Sequence, residues 1–142
     1  MPAQSLNHYT IRVRDLEVTR KFYQEIVGLI VGDRPPLNFP GYWLYCGGVP
    51  TVHLIGPRAD DVPVDDTPAK PAETGRLDHI AFACEGLAAM KASLEKHGIK
   101  YDERVLPRLN MTQLFYYDPD GIAVECNFPA QETPVQGNAR GY

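Results

Sequence analysis

Four residues carry the chemistry this sequence can offer: His8, His53, His79 and Glu125. His8 and His79 lie 71 residues apart, and His53 and Glu125 lie 72 apart, so they form two pairs at nearly the same offset. Within each half the first histidine precedes its partner by 45 or 46 residues. Taken singly, a histidine on a strand is more often hydrogen-bonded or exposed than a ligand. Four such residues in one register call for a common explanation. Imidazole nitrogens together with a carboxylate oxygen suit a divalent Fe, Ni, Co, Mn or Zn ion, whereas all-oxygen sites suit Mg or Ca.

Strand parity places these groups on one face, because alternate residues of a strand point to opposite sides of its sheet. Tyr9, Ile11 and Val13 form an apolar series that leaves His8, Thr10 and Arg12 on the other side. Ile80, Phe82 and Cys84 do the same for His79, Ala81 and Ala83. Val52 and Leu54 flank His53, and Val124 and Cys126 flank Glu125. All four candidates therefore avoid the face expected to pack on helices. Paired around a pseudo-twofold axis, two such units would converge on a single concave surface.

The elements that must position them repeat. LNHYTIRV at 6–13 and LDHIAFAC at 77–84 both read Leu, polar, His and then alternation. Each precedes a helix-like segment. Asp15 to Val27 has Asp15 as N-cap and Gly28 as stop, and Leu87 to His97 is closed by Gly98. His97 is read as a partner of that helix's C-terminal dipole. Further strands are expected over Gly41 to Cys46, Thr51 to Ile55, Asn110 to Tyr117 and Ile122 to Phe128, the last two joined by the turn sequence Asp118-Pro119-Asp120-Gly121. Two tandem βαβββ units, an α+β fold, is the simplest reading. Residues 5–56 form the first unit, 57–75 a Pro-rich linker, 76–128 the second unit and 129–142 an extended tail.

Other residues bear on the site less directly. Phe39, Trp43 and Tyr45 fit an apolar pocket wall and a core equally well. Arg12, Arg34 and Arg104 are candidates for an anionic substrate group, with solvated surface charge as the plainer role. Cys46, Cys84 and Cys126 share parity with apolar neighbours and read as small buried hydrophobes. The patterns GxGxxG, GxxxxGK[ST] and GxSxG are absent, which removes the common nucleotide and serine-hydrolase readings.

The 142 residues suit one domain or two half-domains sharing a core. A net charge of −4 without a basic run argues against nucleic acid. No apolar stretch of membrane-spanning length and no signal peptide are visible, and three cysteines lack CxxC spacing. A soluble cytoplasmic protein with a small-molecule substrate, no nucleic acid and no membrane is expected.

NHYTIRVRDLEVTRKFYQEIVGL, LDHIAFAC and QLFYYDPDGIAVECNF together resemble the vicinal oxygen chelate superfamily, which includes glyoxalase I, extradiol dioxygenases, methylmalonyl-CoA epimerase and the fosfomycin- and bleomycin-resistance proteins. RPPLNFPGYWLY followed by VHLI looks like a glyoxalase-like branch of that family. The resemblance implies a cupped sheet built from the two units, a homodimer with pairing within or across chains, and a divalent metal that binds two neighbouring substrate oxygens. It maps His8, His79 and Glu125 onto the family's ligand positions and His53 onto the fourth-strand position, where glyoxalase I carries Glu and the epimerase Gln. The implied activity is a metal-dependent isomerase or lyase acting on a small oxygenated metabolite or thiol adduct, with an enolate-type intermediate. Glu125 would be the base, and His53 a fourth ligand or a proton donor. The alternatives are an extradiol Fe(II) dioxygenase using His8, His79 and Glu125, and a metal-free binding module of the bleomycin-resistance type.

Overall fold

The computed structural model describes residues 3–57, 74–75 and 77–129. Most of the expected linker, and the expected tail beyond Pro129, therefore lie outside the described residues. The chain divides into two compact units, Met1–Pro68 and Ala69–Tyr142.

The first unit runs β1 (Tyr9–Arg12), α1 (Leu16–Phe22), a π turn at Tyr23–Val27 that prolongs α1, β2 (Ile30–Gly32), β3 (Gly41–Cys46) and β4 (Val49–Ile55). Its four strands form an open sheet in the order β1-β4-β3-β2, with β1 parallel to β4 and the other pairs antiparallel. The second unit repeats this plan with β5 (His79–Ala83), α2 (Leu87–Lys96), β6 (Asp102–Leu106), β7 (Met111–Tyr117) and β8 (Ala123–Phe128), ordered β5-β8-β7-β6. Both units are βαβββ, as the repeated sequence pattern predicts.

Local chemistry fixes the element ends. Asp15 has extended backbone angles and its Oδ1 accepts from the Val18 N–H at 3.1 Å, capping α1. Gly28 takes a left-handed φ of 88° where that helix ends. His97 Nδ1 donates to the Ser93 carbonyl at 2.8 Å at the end of α2, satisfying one of its last carbonyls. In the Asp118–Gly121 turn the Asp118 carboxylate accepts from the Asp120 and Ile122 backbone N–H groups, each at 2.8 Å.

One face of each sheet is apolar and buried. Ile11, Leu44, Val52 and Leu54 fill that layer in the first unit, with Phe22 and Ile26 from the helix; Phe82, Leu114, Val124 and Phe128 do so in the second, with Met90 and Leu94. Each such side chain contributes about 1.5–3 kcal/mol by leaving water. The opposite face of each sheet carries His53 or Glu125.

Three details differ from the sequence expectations. β2 and β6 are strands beyond those the pattern predicts, because one is three residues long and the other opens Asp-Glu-Arg, and both are sheet edges with little apolar alternation. β1 and β5 start later than the repeat suggests: Leu6 and Leu77 are 77% and 56% exposed, so neither joins a core. Of the three cysteines only Cys126 is buried. Cys46 ends β3 beside the Gly47-Gly48 turn and Cys84 follows β5, so both are partly exposed; all three are free thiols. Among the described residues, no helix is long and apolar enough to cross a membrane.

Candidate functional site

Strand register gives each unit one cross-strand row bearing its central candidate. In the first unit the row is Thr10, His53, Trp43, Gly32, and in the second it is Ala81, Glu125, Phe115, Asp102. His53 and Glu125 thus occupy equivalent places in two equivalent sheets, on the face away from the buried layer. His8 directly precedes β1 and His79 opens β5.

In the first unit the rings stack. The His53 imidazole lies face to face with His8 at a centroid distance of 3.9 Å and with Trp43 at 4.2 Å, with interplanar angles of 13° and 9°. His53 Nε2 is 2.9 Å from the Pro50 carbonyl. A carbonyl only accepts, so Nε2 carries the proton and Nδ1 keeps its lone pair. Burial holds His53 below the ordinary histidine pKa, and the charge of His8 acts in the same direction. Both effects favour the neutral form of the His53 ring.

In the second unit the groups form a polar chain. His79 Nε2 is 3.7 Å from Glu125 Oε1. Glu125 Oε2 accepts from Asn127 Nδ2 at 2.9 Å, and Asn127 Oδ1 accepts from Gln113 Nε2 at 2.9 Å. The Glu125 side chain is 14% exposed and that of His79 40%.

The two leading histidines share a feature that the sequence reading did not assign. His8 Nδ1 donates to Asn7 Oδ1 at 2.8 Å, and His79 Nδ1 donates to Asp78 Oδ2 at 2.7 Å. In each case the residue just before the histidine fixes the tautomer and leaves Nε2 with a free lone pair, the usual way an outer partner prepares a metal-binding imidazole. The signal was present as the shared Leu, polar, His pattern. Asn127 was also missed, although it has the parity of Glu125; Gln113 becomes visible only through the β7–β8 register.

The remaining candidates fall as follows. Trp43 spends one ring face on His53. Tyr45 donates to the Asp33 carbonyl at 2.7 Å, and its ring occupies the space above Gly32. Arg34 lies over the Phe39 ring at 5.0 Å and donates to the Phe39 carbonyl at 2.8 Å, so these two brace their own loop. Arg104 lies over Phe115 at 4.9 Å, and Arg12 is exposed.

Within a unit the donors come together in twos: His8 with His53, and His79 with Glu125. Among the described residues no group of three or more His, Cys, Asp or Glu side chains is arranged to hold a metal ion. The chemistry of the donors nonetheless fits a divalent ion of the Fe, Ni, Co, Mn or Zn type, since oriented imidazoles with free Nε2 and a carboxylate oxygen are its usual ligands.

Comparison with known proteins agrees with this architecture. "Glyoxylase I 4" of Arabidopsis thaliana is 35% identical over 127 residues, which cover 87% of this chain and 70% of that protein. The solved glyoxylase/bleomycin resistance protein/dioxygenase domain from Frankia sp. EAN1pec is 21% identical, covering 89% of this chain and 98% of that one, with a TM-score of 0.69. The fosfomycin resistance protein FosX from Listeria monocytogenes is 18% identical, covering 94% and 99%, with a TM-score of 0.66. The model of the Glyoxalase/Bleomycin resistance protein/Dioxygenase superfamily matches residues 5–126, and the chain belongs to that superfamily.

Proposed function

We propose that this protein is a metal-dependent isomerase or lyase acting on a small oxygenated metabolite or its thiol adduct. The observation that carries this reading is the His79–Glu125 pair: an imidazole with its Nε2 free, facing a carboxylate oxygen at 3.7 Å. His79 Nε2 and Glu125 Oε1 would hold the divalent ion, and His8 carries the same free Nε2 in the first unit, a ligand type of the same kind. Such an ion supplies positive charge against the negative charge that develops on neighbouring substrate oxygens. The chain itself supplies the proton transfer. Glu125 is proposed as the base, with Oε1, when the ion does not engage it, taking a proton from one substrate carbon and returning it to the neighbouring one while Asn127 keeps Oε2 in place. His53, with its Nε2 proton engaged by Pro50, is proposed to present Nδ1 to a substrate hydroxyl and to support the His8 ring.

The sequence similarity to the Arabidopsis protein supports an enzyme of glyoxalase type. A single domain assembled as a homodimer, with small molecules as its only partners, is proposed with it, in the reducing cytoplasm that three free thiols suit.

A second reading has its own support. Imidazoles with a free Nε2 and a carboxylate oxygen, the pair formed by His79 and Glu125, are also the ligand types of Fe(II) oxygenases. Metal analysis of untagged protein separates the two. About one equivalent of Ni, Co, Mn or Zn, lost in His79→Ala and Glu125→Ala, with proton exchange into a hemithioacetal or hydroxyketone probe, is the expected result. Iron together with oxygen uptake on a catechol would replace the isomerase with the dioxygenase. Failure to bind any of the five ions would overturn both and leave a ligand-binding module.

A further inference from the structure

We propose that Asn127, itself held by Gln113, is a positioning residue that commits one oxygen of Glu125 to the protein and presents the other to the site. This rests on the reading of Glu125 as a ligand and base. An ionised carboxylate has no proton to give, so Asn127 must turn its Nδ2 toward Glu125 Oε2. Its Oδ1 then faces β7 and requires a donor, which Gln113 Nε2 supplies. The chain has a single polarity, from Gln113 through Asn127 to Glu125, and it leaves Oε1 on the His79 side.

The first unit indicates that this relay is not demanded by the fold. Gln113 and Asn127 are register partners in β7 and β8; the corresponding partners in β3 and β4 are Gly41 and Ile55. Neither carries a side-chain hydrogen-bonding group. The amide pair therefore stands beside the carboxylate at Glu125 and not beside the imidazole at His53. A strand row that only needed filling could have used Ile in both units.

The test uses Co2+ as probe with the full chain, comparing Asn127→Ala, Gln113→Leu, the double variant and Glu125→Ala, each checked for native circular dichroism. Asn127→Ala should weaken Co2+ binding about 10–100-fold, the range for an outer partner of a ligand. Gln113→Leu should weaken it less, and should cost nothing further once Asn127 is gone, because it acts only through Asn127. In metal-free protein the Asn127 side-chain amide resonances should move in both Gln113→Leu and Glu125→Ala. Binding by Asn127→Ala equal to that of the unaltered chain, while Glu125→Ala loses the ion, would overturn the positioning role and leave the metal reading standing. Losses that simply add in the double variant would also overturn it. Should the unaltered chain and Glu125→Ala bind Co2+ alike, the metal reading falls. The relay is then decided by the amide resonances, which support it if Glu125→Ala moves them and overturn it if not.

Discussion

The first unit fills its central row with rings, Trp43 and His53, with His8 stacked on His53; the second fills the same places with Phe115, Glu125 and a hydrogen-bonded train of amides. The backbones agree strand for strand, and the leading histidine of each unit is oriented by the residue before it. What differs is how the second donor is held. A neutral imidazole has broad faces and is steadied by stacking and one carbonyl, whereas a carboxylate is steadied by N–H donors at one oxygen. A duplicated sheet thus repeats the positions, and the holding residues follow the chemistry of the group each position carries. Flexible, charged Glu125 needs more support than flat His53, and it is the better candidate for proton transfer.

The largest expected difference between the halves is therefore catalytic. Glu125→Gln should lower turnover of the assigned substrate by about 10²–10⁴, the usual cost of removing a general base. His53→Gln, which keeps a hydrogen-bonding group but loses the stack, should cost about tenfold, in the range of an outer-shell partner. Steady-state kinetics on both variants compare the halves directly. Equal losses would mean that the stacked imidazole and the carboxylate share the chemistry, and the division of roles drawn above would fail.

The same rows differ in the room they leave. Gly41 stands where Gln113 stands in the other unit, and a Cβ there would press on the Leu54 carbonyl and crowd the Arg34 guanidinium at 3.0 Å. Gly41→Ala should destabilise the chain by about 1–3 kcal/mol, as overpacking does, read as a shift in the urea midpoint at constant slope. Gln113→Ala meets no such barrier and should cost less. A neutral Gly41→Ala would show that β3 can shift outward, and the contrast in packing would be lost.

Those contrasts also mark where sequence reading reached its limit. Alternation of Ile11 with Val13, and of Val52 with Leu54, sufficed to put His53 on the open face, because burial of one face fixes parity. The caps at Asp15 and Gly28 were legible for a similar reason, since their chemistry is local. The stack of Trp43 on His53 and the pairing of Gln113 with Asn127 depend on register between strands, which no spacing within one strand encodes. The contact of Arg34 with Phe39 is likewise invisible in the sequence: both types suit a substrate pocket, and the fold lays the guanidinium over the ring and bonds it to the Phe39 carbonyl.

A smaller effect separates the two helices. α1 is capped by the Asp15 carboxylate, while α2 begins at Gly86 with a left-handed φ of 85° and no side-chain cap. Asp15→Ala should cost about 1 kcal/mol. Hydrogen exchange should place that loss in the first turn of α1 and leave α2 unchanged. Loss spread equally over both helices would mean that the two units unfold together, so that neither cap can be assigned to its own half.

The smallest expected effect is a pH dependence confined to the first unit. Burial, aided by the His8 charge, lowers the His53 pKa below its ordinary 6.5, so the folded chain binds this proton less readily than the unfolded chain does. The stability linked to neutral His53 is therefore complete above about 6.5 and declines as the pH falls from 6.5 through the lower folded value. The ring is only half-buried, and solvent screening keeps the loss small. Trp43 is the sole tryptophan and lies on that ring, so its fluorescence reports the step: protonation of His53 should quench it on acidification, with a midpoint below 6.5. His53→Gln should remove the step without altering the fold. A midpoint at or above 6.5 would place the imidazole in water rather than between His8 and Trp43, and the contrast between a stacked half and a hydrogen-bonded half would lose its first term.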